Sequence, residues 1–317
     1  MKRKITNLAL ISNKKITKPR NKMNSHIAAI NKIKEASEWL KNHKESYKIL
    51  IKQTRNLGDT LHMTPIARHY KTVYPDCKIA FVVGQAYKSV HDLNKDFDAI
   101  FPIDHNLDPH SRIEIGKFMM TIEGIDKILC PSIFPFGEVW PSHTWSYPII
   151  SHQYFHNAEI RPPIDIKGGG KLVAPVSGDE INFAKSFVNH DKLIGLEYNS
   201  YSHSAPWNGN KFREFVILAK SLGYKCISFA GKNEGLIENT IDGRGLSWRR
   251  TIALIDRCKY FVGIGSGNTM LAACTNTKIL EINVPESIDM KSCGYADSTS
   301  FKNAQPTDLI NFIKGRE

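Results

Sequence analysis

The feature that most constrains this chain is an alternation that runs twice. Short apolar runs rich in β-branched residues alternate with longer stretches at helical spacing. In the first pass, Tyr47–Lys52, Cys77–Gly84, Ala99–Ile103 and Lys127–Cys130 read as strands, and Thr60–Val73 and Tyr87–Leu93 as helices. Residues 131–170 break the pattern. They are rich in proline, histidine and aromatic residues (Phe134, Phe136, Trp140, Trp145, Tyr147, Tyr154, Phe155) and close on Gly168-Gly169-Gly170. So long an irregular stretch reads as a lid or acceptor-facing loop followed by a hinge, and equally as aromatic packing material. The pattern then restarts. Leu193–Glu197, Lys225–Ala230, Tyr260–Ile264 and Lys278–Asn283 read as strands. Lys211–Leu222, Trp248–Cys258, Asn268–Thr275 and Thr307–Lys314 read as helices. Strands this apolar, separated by helices, predict parallel sheets covered on both faces. The expected architecture is α/β: two doubly wound units joined by a linker near residues 160–190. The division is 1–46 for a basic arm and helix, 47–170 for the first unit and 171–317 for the second.

Charge separates the arm from the body. Residues 1–50 hold 13 Lys/Arg against 3 Asp/Glu, whereas the remaining 267 residues hold 30 against 28. A basic arm of this kind suits an anionic surface such as lipid, lipopolysaccharide or nucleic acid, and equally a solvated tail. Residues 25–44 predict an amphipathic helix, with Ile27, Ile30, Ile33, Ala36, Trp39 and Leu40 near one face, packed on the body in preference to a membrane. The apolar run Leu8–Ile11 is too short for a secretory signal, so cytoplasmic expression is expected. The cysteines (Cys77, Cys130, Cys226, Cys258, Cys274, Cys293) show no CxxC pair or zinc-finger spacing, so reduced buried thiols and no metal are expected.

Three segments could carry chemistry. Asn56-Leu57-Gly58-Asp59 follows the first strand, where Gly58 would permit a tight turn and Asp59 would start a helix. Ligands of open α/β sheets gather beyond the carboxyl ends of strands, so Asp59 is placed to be a base; the plain alternative is a helix cap. Gly265-Ser266-Gly267-Asn268-Thr269 follows a later strand, and its amides and hydroxyls suit a diphosphate, although glycine turns are often only structural. The loop Ser204–Phe212 carries Trp207, able to stack on a base or to pack beneath the helix.

Taken together, these segments resemble glycosyltransferase family nine, the heptosyltransferases, including the autotransporter type. The resemblance rests on "ILIKQTRNLGDTLHMTPIARHYKTVYPDCKIAFVVG", "WNGNKFREFVILAKSLGYKCI" and "LSWRRTIALIDRCKYFVGIGSGNTMLAA", over about residues 47–285. It implies the GT-B arrangement, two Rossmann-like units facing across a cleft. It also implies a nucleotide-diphosphate sugar donor, usually ADP-heptose, with no cofactor or metal. Asp59 matches the family's base, which would take the proton of an acceptor hydroxyl in a single inverting displacement. Gly58, Asn199, Trp207, Lys211, Lys232, Gly265, Ser266, Gly267, Asn268 and Thr269 are the donor-binding positions so implied. The chain departs from the family at Gly265, often Asp; at Met270, often His; and at Ala205, usually a phosphate-binding cation. Lys211, Arg213 and Lys232 are the nearby cations that could replace that charge. The acceptor implied is a saccharide such as lipopolysaccharide core, reached at the inner membrane surface. A modified base of nucleic acid, a non-catalytic binding protein of the same fold and a sugar-nucleotide epimerase stay open as alternatives.

Overall fold

The computed structural model describes residues 19–104, 107, 109–130, 170–199, 207–231, 233–282 and 297–317. The irregular stretch 131–169, the loop positions Ser204 and Ala205, Lys232, Cys293 and the first 18 residues of the basic arm lie outside the described residues.

Strands Lys48–Gln53 (β1), Lys78–Gly84 (β2), Ala99–Ile103 (β3) and Lys127–Leu129 (β4) form a parallel sheet in the order β3-β2-β1-β4. The register pairs Ile49 with Ile79 and Ile51 with Phe81. Side chains alternate across a strand, so this register sorts the sheet into two apolar faces. Ile49, Ile51, Ile79 and Phe81 face helix Met63–Val73 through Ile66, Ala67 and Tyr70. Leu50, Ala80 and Val82 face helix Pro19–Lys41 through Ala29, Ile33, Ala36 and Leu40. The helix predicted at 25–44 thus packs on the body, as expected. It starts earlier, and Ile27 is 50% exposed and takes no part in the buried face.

The second sheet holds Leu193–Glu197 (β5), Lys225–Phe229 (β6), Ile241–Asp242 (β7), Tyr260–Gly263 (β8), Lys278–Ile282 (β9) and Ser298–Phe301 (β10), in the order β10-β9-β8-β5-β6-β7. Each pairing is parallel. The order reverses between β5 and β8, as it does between β1 and β4 in the first sheet, and such switch points open a crevice beyond the strand ends.

Residues 170–190 are not a linker. Leu172 and Ala174 are buried, and Gly178–Phe187 is a helix that packs against helix Trp248–Ile255. Ser177 and Glu180 form a capping box at its start, and Arg249 reaches Glu180 at 3.1 Å. One apolar cluster runs from Ile49 and Phe81 of the first sheet to Phe229 and Phe261 of the second. Polar ties reinforce it: Val173 N–H donates to Thr64 Oγ1 at 3.1 Å, and Trp248 Nε1 donates to the Ala86 carbonyl at 2.9 Å. Among the described residues, no helix is long and apolar enough to cross a membrane.

Candidate active site

The first turn is built at the end of β1. Helix Leu57–Leu61 begins at Asn56, and Asp59 is its third residue. Asp59 Oδ2 accepts the Asn56 N–H at 3.1 Å, which closes a capping box. The carboxylate is half-buried. Its charge reaches Tyr87, whose phenol is pushed up first by burial and then by Asp59. Gly58 does not make a tight turn. It lies within the helix, and its role is close packing, since a Cβ there would stand 3.1 Å from Met270 Cγ. Beneath the helix, Thr60 Oγ1 donates to the Leu57 carbonyl at 2.8 Å and lies 3.0 Å from His91 Nε2. The proton of Thr60 is thereby used, so Nε2 is the donor and Nδ1 is the bare nitrogen. Burial holds His91 and the neighbouring His62 neutral, pushed down to about 3.

The second turn follows β8. Gly265 has φ +73°, a left-handed conformation that glycine alone adopts cheaply. It brings Ser266 to the start of helix Gly267–Ala272. The donors of this turn are committed to a residue that sequence reasoning did not single out. Glu197, the last residue of β5, is 1% exposed. Its Oε1 accepts the Ser266 hydroxyl at 2.7 Å and the Asn268 N–H at 2.8 Å. Its Oε2 accepts the Thr269 N–H at 3.2 Å and the Thr269 hydroxyl at 2.5 Å. Thr269 Oγ1 also lies 3.3 Å from the Gly265 N–H. The expectation that Ser266, Asn268 and Thr269 present open donors to a diphosphate is corrected on this point. The signal in the sequence was a carboxylate ending an apolar strand, Leu193-Ile194-Gly195-Leu196-Glu197.

The fold brings the two turns together. Gly58 abuts Met270, and a Cβ at Gly267 would stand 3.6 Å from Leu57 Cδ2. Of the other positions, Asn199 is exposed two residues past β5. Trp207 does not stack on a ligand. It is 1% exposed, packs against Phe212 and Phe215 and donates Nε1 to the Ala304 carbonyl at 2.9 Å. A side chain of that size is worth more in a core than at a rim. Lys211 is half-buried in the first turn of helix Gly209–Ser221, where its N–H is capped by Asn208 at 3.0 Å. Arg213 is engaged by Asn210 at 3.2 Å and faces Glu238 at 3.7 Å. Among the described residues, no group of three or more His, Cys, Asp or Glu side chains could hold a metal ion.

No protein-family model matches the chain, and no curated protein matches it. Solved structures do. A family 9 glycosyl transferase from Veillonella parvula superposes with a TM-score of 0.62 at 15% identity, covering 86% of this chain and 92% of that one. The ADP-heptose lipopolysaccharide heptosyltransferase II of E. coli gives 0.64 at 15% identity, covering 84% and 98%. The chain has the fold of these glycosyltransferases. A third similar structure, the iron-containing dodecameric glycosyltransferase TibC of enterotoxigenic E. coli, gives 0.55 at 15% identity and covers 80% of this chain and 62% of TibC. The two Rossmann-like units expected from the resemblance are the units found, and Asp59 stands at the switch-point end of the first.

Proposed function

We propose that the protein is a glycosyltransferase that moves a sugar, a heptose or one like it, from an ADP-linked donor to the hydroxyl of a saccharide. The reading is carried by one observation: a half-buried residue, Asp59, beyond the carboxyl end of the first sheet's switch strand, on a short helix that packs against the second unit through Gly58 and Leu57. The fold it shares with heptosyltransferase II, whose donor is ADP-heptose, supports the donor class. Asp59 takes the proton of the acceptor hydroxyl as that oxygen attacks the anomeric carbon, and the diphosphate leaves from the opposite side, inverting the configuration. In this reading Asn199 and Lys211, with Lys232 from its place in the sequence, are the donor-side groups. The charge developing on the diphosphate is met by protein cations rather than by a metal ion. The acceptor is a lipopolysaccharide-type core, and the enzyme works in the cytoplasm at the inner membrane surface.

Thermal shift with ADP, UDP, GDP, CDP and their sugar conjugates tests the donor. A ligand at 100 times its Kd adds about 2.7 kcal/mol of stability, and ADP compounds are expected to give it selectively. Asp59→Asn is expected to lower transfer by roughly 100-fold or more and to leave donor affinity nearly unchanged. Near-normal turnover in that variant removes Asp59 from the role.

A further inference from the structure

We infer that Glu197 is the resident anion of the Ser266–Thr269 turn, standing where a ligand phosphate would otherwise sit, so that the donor's diphosphate is held outside this turn. A carboxylate offers about four lone-pair sites, and here four donors fill them, two on each oxygen. The donors come from backbone and side chain alike, so the turn is organised with no ligand present.

Glu197 is a fixture and not a gate. It ends β5, a strand paired on both sides, and its own backbone lies opposite Phe229. Thr269, its closest partner, is fully buried and seated over Gly263, where a Cβ would stand 2.5 Å from Thr269 Oγ1. Swinging Glu197 aside would release four donors at once, and the two on Thr269 would be left buried without a partner. Leaving it in place sets a negative charge where a second anion would have to arrive. The glycine turn that looks in sequence like a phosphate cradle is therefore an internal clamp. Glu197 acts as a specificity residue by denying that turn to phosphate. Substitutions in the turn act on folding and not on donor affinity.

The test uses the full chain, with inorganic phosphate and ADP as probes and sodium chloride of matched ionic strength as control. Glu197→Ala leaves the donors facing an empty space. Its Tm is expected to fall by about 8 °C, with a third or more of that loss recovered in millimolar phosphate, while the wild type moves by less than about 1 °C. The ADP arm rests on the glycosyltransferase reading: Ser266→Ala is expected to keep the Kd for ADP within about twofold of the wild type. A loss of about tenfold or more in that affinity at a near-normal Tm overturns the inference. So does a wild-type stabilisation by phosphate that Ser266→Ala removes, an outcome that needs neither nucleotide binding nor a folded Glu197→Ala. A wild type that binds no ADP sinks the donor reading alone, and the phosphate arms still decide the role of Glu197.

Discussion

The two strand–turn–helix corners that meet at the centre of this molecule each carry one carboxylate, and they use it in opposite ways. Asp59 comes from the helix it caps. It accepts the N–H of Asn56, three residues away, at 3.1 Å and stays half-buried. Glu197 comes from a different strand, 69 to 72 residues from its partners, and is buried under four hydrogen bonds. A local carboxylate at the start of a short helix stays half-buried, and the proposed reaction asks it to take up a proton. A buried carboxylate delivered from a neighbouring strand into a ring of four donors is spent on holding the corner together. Position beyond the end of a strand is therefore not enough to make a residue chemical. What its oxygens already accept decides the matter.

The sharpest way to break this contrast is to neutralise each carboxylate without changing its shape. Glu197→Gln turns an amide NH2 toward N–H and O–H donors, which leaves buried donors unmatched, and it should cost about 3 kcal/mol of unfolding free energy. Asp59→Asn keeps an oxygen for the Asn56 N–H and should cost less than about 1 kcal/mol. Denaturant titration of both variants measures the difference. Equal costs would mean that the second corner is as loosely held as the first.

Acid separates the corners by a different route. His62 and His91 lie under the Asp59 helix, both buried and held near a pKa of about 3. Neutral in the folded chain, they would take up protons below about 6.5 once unfolded. The stability they contribute is whole above that pH, and it is lost as pH falls toward 3. The slope is about 1.4 kcal/mol per pH unit for each imidazole, so roughly 4 kcal/mol goes by pH 5. The hydroxyl and amide donors of the second corner do not titrate in this range. Hydrogen exchange from pH 8 to pH 5 should show helices Leu57–Leu61 and Met63–Val73 losing protection before helix Gly267–Ala272. Simultaneous loss would mean that the two corners open as one unit.

The alternation of strands and helices carried much of the fold in the sequence because the register of a parallel sheet follows from apolar spacing. Ile33, Ala36 and Leu40 revealed the first helix in the same way, and all three are buried. The helix Gly178–Phe187 was hidden inside an expected linker, although the spacing of Ser177 and Glu180 is a capping signature. The site was less legible. Gly58 and Trp207 were read for what those residue types can do at a loop, whereas contacts with Met270 and Ala304, distant in sequence, fixed what they do here. Glu197 could not be found by local pattern, because its meaning depends on a strand order that places β5 beside β8.

The two glycines at the corners give the finest test of the contrast. At Gly263 an added Cβ would lie 2.5 Å from Thr269 Oγ1 and 3.0 Å from its Cγ2. Thr269 cannot retreat without releasing Glu197, so Gly263→Ala should cost about 2 kcal/mol through overpacking. At Gly58 the nearest atom is Met270 Cγ at 3.1 Å, on a long unbranched side chain able to shift. The helical backbone there also favours alanine by up to about 1 kcal/mol, so Gly58→Ala should change stability by less than about 0.5 kcal/mol in either direction. Its effect belongs in transfer activity, because Met270 moves against the helix that carries Asp59. A Gly58→Ala variant as unstable as Gly263→Ala would show that the seam between the two units is as tightly fixed as the Glu197 clamp.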